Sequence, residues 1–200
     1  MNLFITGTDT DAGKTTVSAW ICSKIRTKYL KLIQTGSDSD STTVKNFAPN
    51  TEILPEIYKL HAPLSAYDAA KLENITIDVE KFRINYDKTV IEGAGGIFVP
   101  IASNFLMIDA IERTNSCALV VARAKLGMIN HTLLTISALK NRNISIAGIV
   151  VCGDLEKNIV DTIEHFSGEK IIANLHHSNG DLKNLFESTP LPQNILGVLK

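Results

Sequence analysis

Short apolar runs of strand length alternate along the chain with segments of helical period. The runs are Leu3 to Thr6, Leu30 to Gln34, Thr89 to Glu92, Ala118 to Ala122, Ile146 to Cys152 and Lys170 to Ala173. Several are apolar on both faces, as parallel strands covered on both sides must be, since alternation arises only where one face meets water. Between them the spacing predicts helices over Lys14 to Arg26, Ser65 to Glu73, Val79 to Asn85, Leu106 to Arg113, Ile129 to Asn141 and Asn158 to Phe166. That order predicts an α/β fold, a parallel sheet flanked by helices on both faces. No repeat or linker interrupts it, so residues 1–200 read as a single domain. Segment 37–64 is weakly patterned and rich in Ser, Thr, Asp and Pro, which predicts loops at the carboxyl edge of the sheet, where such folds bind ligands. The closing stretch, with Asn179, Gly180, Pro190 and Pro192, reads as a loosely packed tail.

Composition narrows the function more than the fold. With 20 basic and 21 acidic residues the net charge is -1, which gives no footing for nucleic acid or an acidic membrane, so any anion site is local. Cys22, Cys117 and Cys152 are odd in number and lack CxxC spacing, so neither a disulfide framework nor a zinc site is expected. The start MNLFITGTD reaches Gly7 and Asp9 too early for a secretory signal, and no apolar run is long enough to span a bilayer. A soluble protein of the reducing cytoplasm is the expectation. Trp20, Phe98, Phe105 and Phe166 read as packing residues, and the cysteines as small buried groups.

The strongest chemical signal is GTDTDAGKTT, Gly7 to Thr16, between the first strand and the first helix. It matches the P-loop pattern GxxxxGK[ST] in the required context. Gly7 and Gly13 let the backbone turn its N–H groups toward phosphate oxygens, and the helix adds its positive amino end. Lys14 supplies a point charge to the β and γ phosphates, and the Thr15 hydroxyl is a candidate Mg²⁺ ligand. A second signal is VIEGAGG, an apolar strand ending in Glu92, whose carboxylate is placed to help hold Mg²⁺. Gly93, Gly95 and Gly96 then permit close backbone approach. A P-loop alone names no reaction. There is no NKxD guanine signature, and partitioning ATPases of the ParA and MinD class carry a lysine five positions before the P-loop lysine, where this chain has Asp9.

Taken together, GTDTDAGKTT, KLIQTG, IEGAGG and KLGMINH resemble, in order, the motifs of the dethiobiotin synthetase family, over about residues 2–153. The resemblance implies a P-loop NTPase-type fold, usually homodimeric, that uses ATP and Mg²⁺ to carboxylate 7,8-diaminononanoate with CO₂ and close the ring. It implies Lys31 and Lys14 as catalytic charge stabilisers. The nucleotide and its metal would be held by Asp11, Ala12, Gly13, Lys14, Thr15, Thr16, Asp40, Glu92, Gly93, Ala94 and Gly95, with Thr15, Asp40 and Glu92 on Mg²⁺. Thr35 would touch substrate, and Gly127, Met128, Ile129 and Asn130 would present amides to its tail carboxylate across a subunit interface. His131 reads as a helix-start residue, not a ligand.

Several positions depart from the family pattern. The proline after the active-site lysine is Leu32, and the segment between Lys14 and Lys31 is short. SDSDST offers both Asp38 and Asp40 as the second carboxylate, and Asp40 is preferred because it directly precedes the STTVKNF segment, which resembles the helix after the family's metal-ligating Asp. The Pro-Ser-Pro-His-like loop is Ala62 to Tyr67 here. Cys152, Gly153 and Asp154 stand where relatives carry an Asn for the nucleotide base, which leaves backbone groups, Asp154 or His176 to Ser178 to hold adenine. Two rivals share the motif: a cobyrinate-type amidotransferase synthetase domain, which normally continues into a glutaminase, and a partitioning-type nucleotide switch.

Overall fold

The computed structural model describes residues 1–176 and 181–200. Along the chain run β1 (Asn2–Gly7), α1 (Lys14–Lys24), β2 (Lys28–Lys31), β3 (Ile33–Thr35), α2 (Asp40–Phe47), β4 (Glu52–Leu54), β5 (Tyr58–Leu60) and α3 (Ala66–Leu72). A 3₁₀ turn (Val79–Phe82) leads to β6 (Thr89–Gly96), β7 (Pro100–Ala102), β8 (Phe105–Leu106), α4 (Met107–Arg113), β9 (Ser116–Arg123) and α5 (Met128–Asn141). The chain closes with β10 (Ile146–Cys152), α6 (Lys157–Ser167), β11 (Ile171–Leu175), α7 (Leu182–Ser188) and α8 (Gln193–Leu199).

Seven strands form one parallel sheet in the order β11-β10-β9-β1-β6-β2-β4. Period-two alternation divides the core between its faces. Phe4, Leu30, Ile91, Val120 and Ile149 face α4, α5 and α6, while Leu3, Ile5, Tyr29, Val90, Leu119 and Val150 face α1, α7 and α8. Both faces are covered, which is why the strands read as continuous apolar runs. Strand order switches direction around β1, so the carboxyl ends of β1, β6 and β2 open onto one crevice, the usual ligand position in such sheets. Among the described residues no helix is long and apolar enough to cross a membrane.

Several expectations are corrected. The run Leu30 to Gln34 is two strands: β2 ends at Lys31, the Leu32 amide donates to the Glu92 carbonyl at 2.9 Å, and β3 pairs with β5 in a separate sheet. Segment 37–64 holds α2, β4 and β5, with Ser39 as N-cap accepting from the Thr42 amide at 3.2 Å. The helix expected over Val79 to Asn85 is only the 3₁₀ turn.

The tail is packed. Leu185, Phe186, Ile195 and Leu199 are buried, the Trp20 indole donates to the Thr189 carbonyl at 3.0 Å, and Asn194 donates to the Ala147 carbonyl at 3.0 Å. Trp20 and the three cysteines are buried as expected, and Phe105 stacks on Phe82. Phe98 and Phe166 are instead 60% and 71% exposed.

Candidate active site

The P-loop leaves β1 at Gly7, is fastened by the Thr8 amide donating to the Val121 carbonyl at 2.9 Å, and enters α1 through Gly13. Gly13 has φ 99°, and a Cβ there would stand 2.6 Å from the Cys152 Sγ, so both conformation and space demand glycine. The first helical bond is Val17 to Gly13 at 3.0 Å; the amides of Lys14, Thr15 and Thr16 have no acceptor within the helix and form its positive end. Lys14 Nζ donates to the carbonyls of Thr10 at 2.7 Å and Asp9 at 3.1 Å. Burial first, and then the nearby charge of Lys31, lower its pKa to about 8. A charged lysine poorly solvated in this way gains strongly from an anion.

A crevice of about 350 Å³ opens over the loop, lined by Asp11, Gly13, Lys14, Thr15, Thr16, Lys31, Thr35, Asp40, Glu92, Ala94 and Gly95. Of the residues expected around the phosphates, Ala12 is buried beneath the loop and Gly93 contributes its carbonyl, which accepts from Lys31 Nζ at 3.1 Å. Glu92 does not end its strand as expected. β6 continues to Gly96, pairing with Gly7 past a register shift, because glycines offer no side chain to stop two strands approaching.

Strand register explains why the charged groups meet. Lys31 lies opposite Glu92 on the β2–β6 ladder, on the face that α1 covers. Lys31 Nζ is 2.9 Å from Glu92 Oε1 and also pairs with Asp40 Oδ2. The Thr15 hydroxyl lies 2.9 Å from both Asp40 Oδ1 and Glu92 Oε1. Burial works against the Lys31 ammonium, but Glu92 and Asp40 together outweigh it and raise its pKa. Burial likewise opposes the Asp40 carboxylate, yet Lys31, the Thr15 hydroxyl and Lys14 hold it below its ordinary range. Lys31 and Asp40 are therefore both charged at neutral pH. Asp38 is exposed, so of the two candidate carboxylates the fold brings in Asp40 as the first residue of α2.

Three residues absent from the sequence expectation complete the cluster. Ser18 and Tyr29 donate hydroxyls to Glu92 Oε2 at 2.7 and 2.9 Å. Burial first, then the charge of Glu92, push the Tyr29 phenol well above its ordinary pKa, so it remains a donor. Gln34 accepts from the Asp40 amide at 3.2 Å and donates to the Thr35 carbonyl at 3.1 Å, tying the start of α2 to β3. Their sequence signals were a serine one helical turn after Thr15 and a tyrosine two residues before Lys31, each on the face of its neighbour.

The oxygens of Thr15, Asp40 and Glu92 suit a hard cation. Mg²⁺ binds through one or two carboxylates and completes its shell with water and phosphate oxygens. Among the described residues no group of three or more His, Cys, Asp or Glu gathers to hold a metal, so a cation here would rest on two carboxylates and a hydroxyl.

The start of α5 lies on the other side of the loop. Gly127 is its N-cap, with φ 91°, and the Met128 amide is spent on the Lys125 carbonyl at 3.0 Å; the amides of Ile129 and Asn130 have no backbone acceptor among the described residues. Lys125 pairs with Asp9 at 2.6 Å, joining this segment to the P-loop. His131 lies one turn into the helix beside an apolar recess formed with Phe98, Val99 and Leu134.

A family model described as an AAA domain matches residues 1–181. The ATP-dependent dethiobiotin synthetase of Paramagnetospirillum magneticum is 44% identical over 177 residues, covering 86% of each chain. That of Lawsonia intracellularis is 38% identical over 198 residues, covering 98% of this chain and 97% of its own. The chain belongs to the dethiobiotin synthetase family. Solved structures add the fold alone: MinD of Aquifex aeolicus superposes with a TM-score of 0.58 over 99% of this chain and 94% of its own at 16% identity. A ParA family ATPase from Chlorobium tepidum TLS gives 0.57 over 98% and 92% at 13% identity.

Of the departures from the dethiobiotin synthetase family pattern, at Leu32, Ala62 to Tyr67 and Cys152 to Asp154, none lines the phosphate crevice, and Leu32 is core. Cys152 is packed under Gly13 and borders a second recess of about 350 Å³ with Thr16, Arg123, Leu175, Leu182 and Leu185. Asp154 is exposed and does not line it, and His177 and Ser178 lie outside the described residues. In the altered loop the amides of His61 and Ala62 donate to Glu73 at 2.7 and 2.9 Å, and Ser65 caps α3.

Proposed function

We propose that this chain, as one P-loop domain that pairs with a second copy, makes dethiobiotin from 7,8-diaminononanoate, CO₂ and ATP. One amine takes up CO₂ as a carbamate. A carbamate oxygen attacks the γ phosphorus and ADP leaves; the second amine then attacks the carbamoyl carbon, phosphate departs and the cyclic urea closes. A carbamate is a weak nucleophile, so the protein's work is to hold it in line and offset charge on the transferred phosphoryl group.

The loop amides and Lys14 cradle the β and γ phosphates. Thr15, Asp40 and Glu92 are the residues to hold Mg²⁺, whose charge would offset that of the phosphate oxygens. Lys31 stands at the reacting end, beside carbamate and γ phosphate, and Thr35 contacts the diamine. Its tail carboxylate docks at the amides that start α5 of the neighbouring subunit. Adenine enters the recess beside Cys152, where backbone groups of Gly153 and its neighbours replace the family asparagine.

The observation that supports this most is the meeting of Lys31, Asp40, Glu92 and Thr15 over the P-loop. The second lysine of a partitioning-type switch belongs five positions before Lys14, where this chain has Asp9, whereas Lys31 comes from β2. The test is incubation with diaminononanoate, bicarbonate and MgATP. Phosphate release only when the diamine is present is the expected result, and diamine-independent turnover would reject the reading.

A further inference from the structure

Glu92 has no exposed surface, yet its two oxygens meet different company. Oε1 is shared by the Thr15 hydroxyl and the Lys31 ammonium at the crevice, each at 2.9 Å. Oε2 points back into the core and accepts from Ser18 at 2.7 Å and Tyr29 at 2.9 Å. Neither hydroxyl lines the crevice. Both belong to fully buried residues, Ser18 on the sheet-facing side of α1 one turn after Thr15, and Tyr29 two residues before Lys31 on the same face of β2.

A carboxylate oxygen accepts two hydrogen bonds readily, so Oε2 is saturated from behind and the carboxylate plane is fixed by donors on two separate elements. We infer that Ser18 and Tyr29 are positioning residues, which hold Glu92 so that only Oε1 is presented to a cation at the crevice. The inference rests on the reading of Glu92 as a metal-holding carboxylate. The alternative role for the two hydroxyls is to satisfy a buried acceptor and so support the fold. The two roles separate experimentally: loss of an orienting partner weakens metal binding by roughly 10- to 100-fold, whereas a purely structural partner changes stability alone.

The probe is Mn²⁺, titrated by electron paramagnetic resonance into the protein with AMPPNP, alongside thermal melts and AMPPNP affinity in chelator. Tyr29→Phe keeps the ring and removes one donor; Ser18→Ala removes the other. We expect Mn²⁺ to bind about tenfold more weakly to each, with metal-free AMPPNP affinity unchanged. If Glu92→Gln weakens Mn²⁺ while Tyr29→Phe and Ser18→Ala leave it unchanged and only lower the melting temperature, the positioning role is overturned and the metal reading stands. Unchanged Mn²⁺ affinity in Glu92→Gln overturns both. Should Tyr29→Phe not fold, the Ser18→Ala titration decides alone.

Discussion

The two sides of the P-loop are built on opposite terms. On the β2–β6 side the buried charged groups have partners within the chain: Lys31 with Asp40 and Glu92, Glu92 with two hydroxyls behind it, Lys14 with two carbonyls. On the α5 side the surface is open and apolar, with Leu126, Leu134 and Phe98 exposed around a helix start whose amides are partly free. On the first, charge is costly to bury, and Lys31, Asp40 and Glu92 offset one another while Lys14 has carbonyl partners alone. The second leaves apolar side chains and backbone donors exposed, as the proposed docking of a diamine carboxylate at a subunit interface requires. Only the exposed Asp9–Lys125 pair, among the charged contacts described, ties the two together. On the proposed reading, chemistry belongs to one chain and substrate placement to two.

The largest effect should come from Lys31→Ala on the closed side. Removing the cation proposed for the reacting end is expected to lower turnover by roughly 10² to 10³, with AMPPNP affinity kept, as calorimetry and phosphate release would report. It also leaves Glu92 and Asp40 without their buried counter-charge, a loss of about 3 kcal/mol. Added Mg²⁺ should recover much of that in a thermal melt, because a cation bound only by the folded state stabilises it. A variant that no longer binds nucleotide while folded would move Lys31 into the phosphate cradle and break the division of labour.

Lys14→Met separates binding from folding. Nucleotide affinity should fall by about 10² or more, since a poorly solvated ammonium gains most from a phosphate. The ligand-free protein should melt no lower than wild type and even somewhat higher, because a buried charge with only carbonyl partners is replaced by an apolar stem. A clear fall in melting temperature would mean that Lys14 is structural in the free protein.

Leu126→Asp sharpens the open side. Leu126 is fully exposed and touches the described chain little, so the substitution should leave the stability of a single chain within about 0.5 kcal/mol. If that face meets a second copy, sedimentation will show dissociation and KM for the diamine will rise about tenfold while ATP binding is retained. An unchanged sedimentation coefficient would remove the second subunit from the site.

The closed side was the more legible in the sequence, for a physical reason. A phosphate loop constrains consecutive residues, so Gly13, Lys14 and Thr15 announce themselves, Glu92 is marked by the glycines that follow it, and Lys31 by the apolar run around it. Ser18 and Tyr29 were legible only as face-neighbours of Thr15 and Lys31 and not as partners of Glu92, which lies 74 and 63 positions away and is brought near by the fold alone. The parallel sheet was legible from doubly apolar runs. The break at Leu32 was not, since an apolar run does not show where one ladder ends and another begins. The tail misled because its prolines outweighed the helical spacing of Leu182, Leu185 and Phe186, and of Ile195 and Leu199, which tertiary burial turns into helices. The start of α5 is legible only as a motif; nothing local in KLGMINH says which surface faces it.

The smallest expected effect tests whether the closed side is closed. Cys152 is buried with its Sγ 4.0 Å from the Gly13 carbonyl, and burial pushes its pKa up to about 12. A thiol raised that far holds on the order of one part in ten thousand as thiolate at pH 8, and the thiolate is the nucleophile. Iodoacetamide should therefore label Cys152 in the native protein far more slowly than in urea. Cys152→Ser should leave ATP affinity close to wild type, since the family asparagine is already absent and the sulfur packs beneath the loop. Fast native labelling, suppressed by MgATP, would show that the floor of the P-loop opens before nucleotide arrives. The contrast between a closed side and an open side would then become one between two surfaces that both wait for ligand.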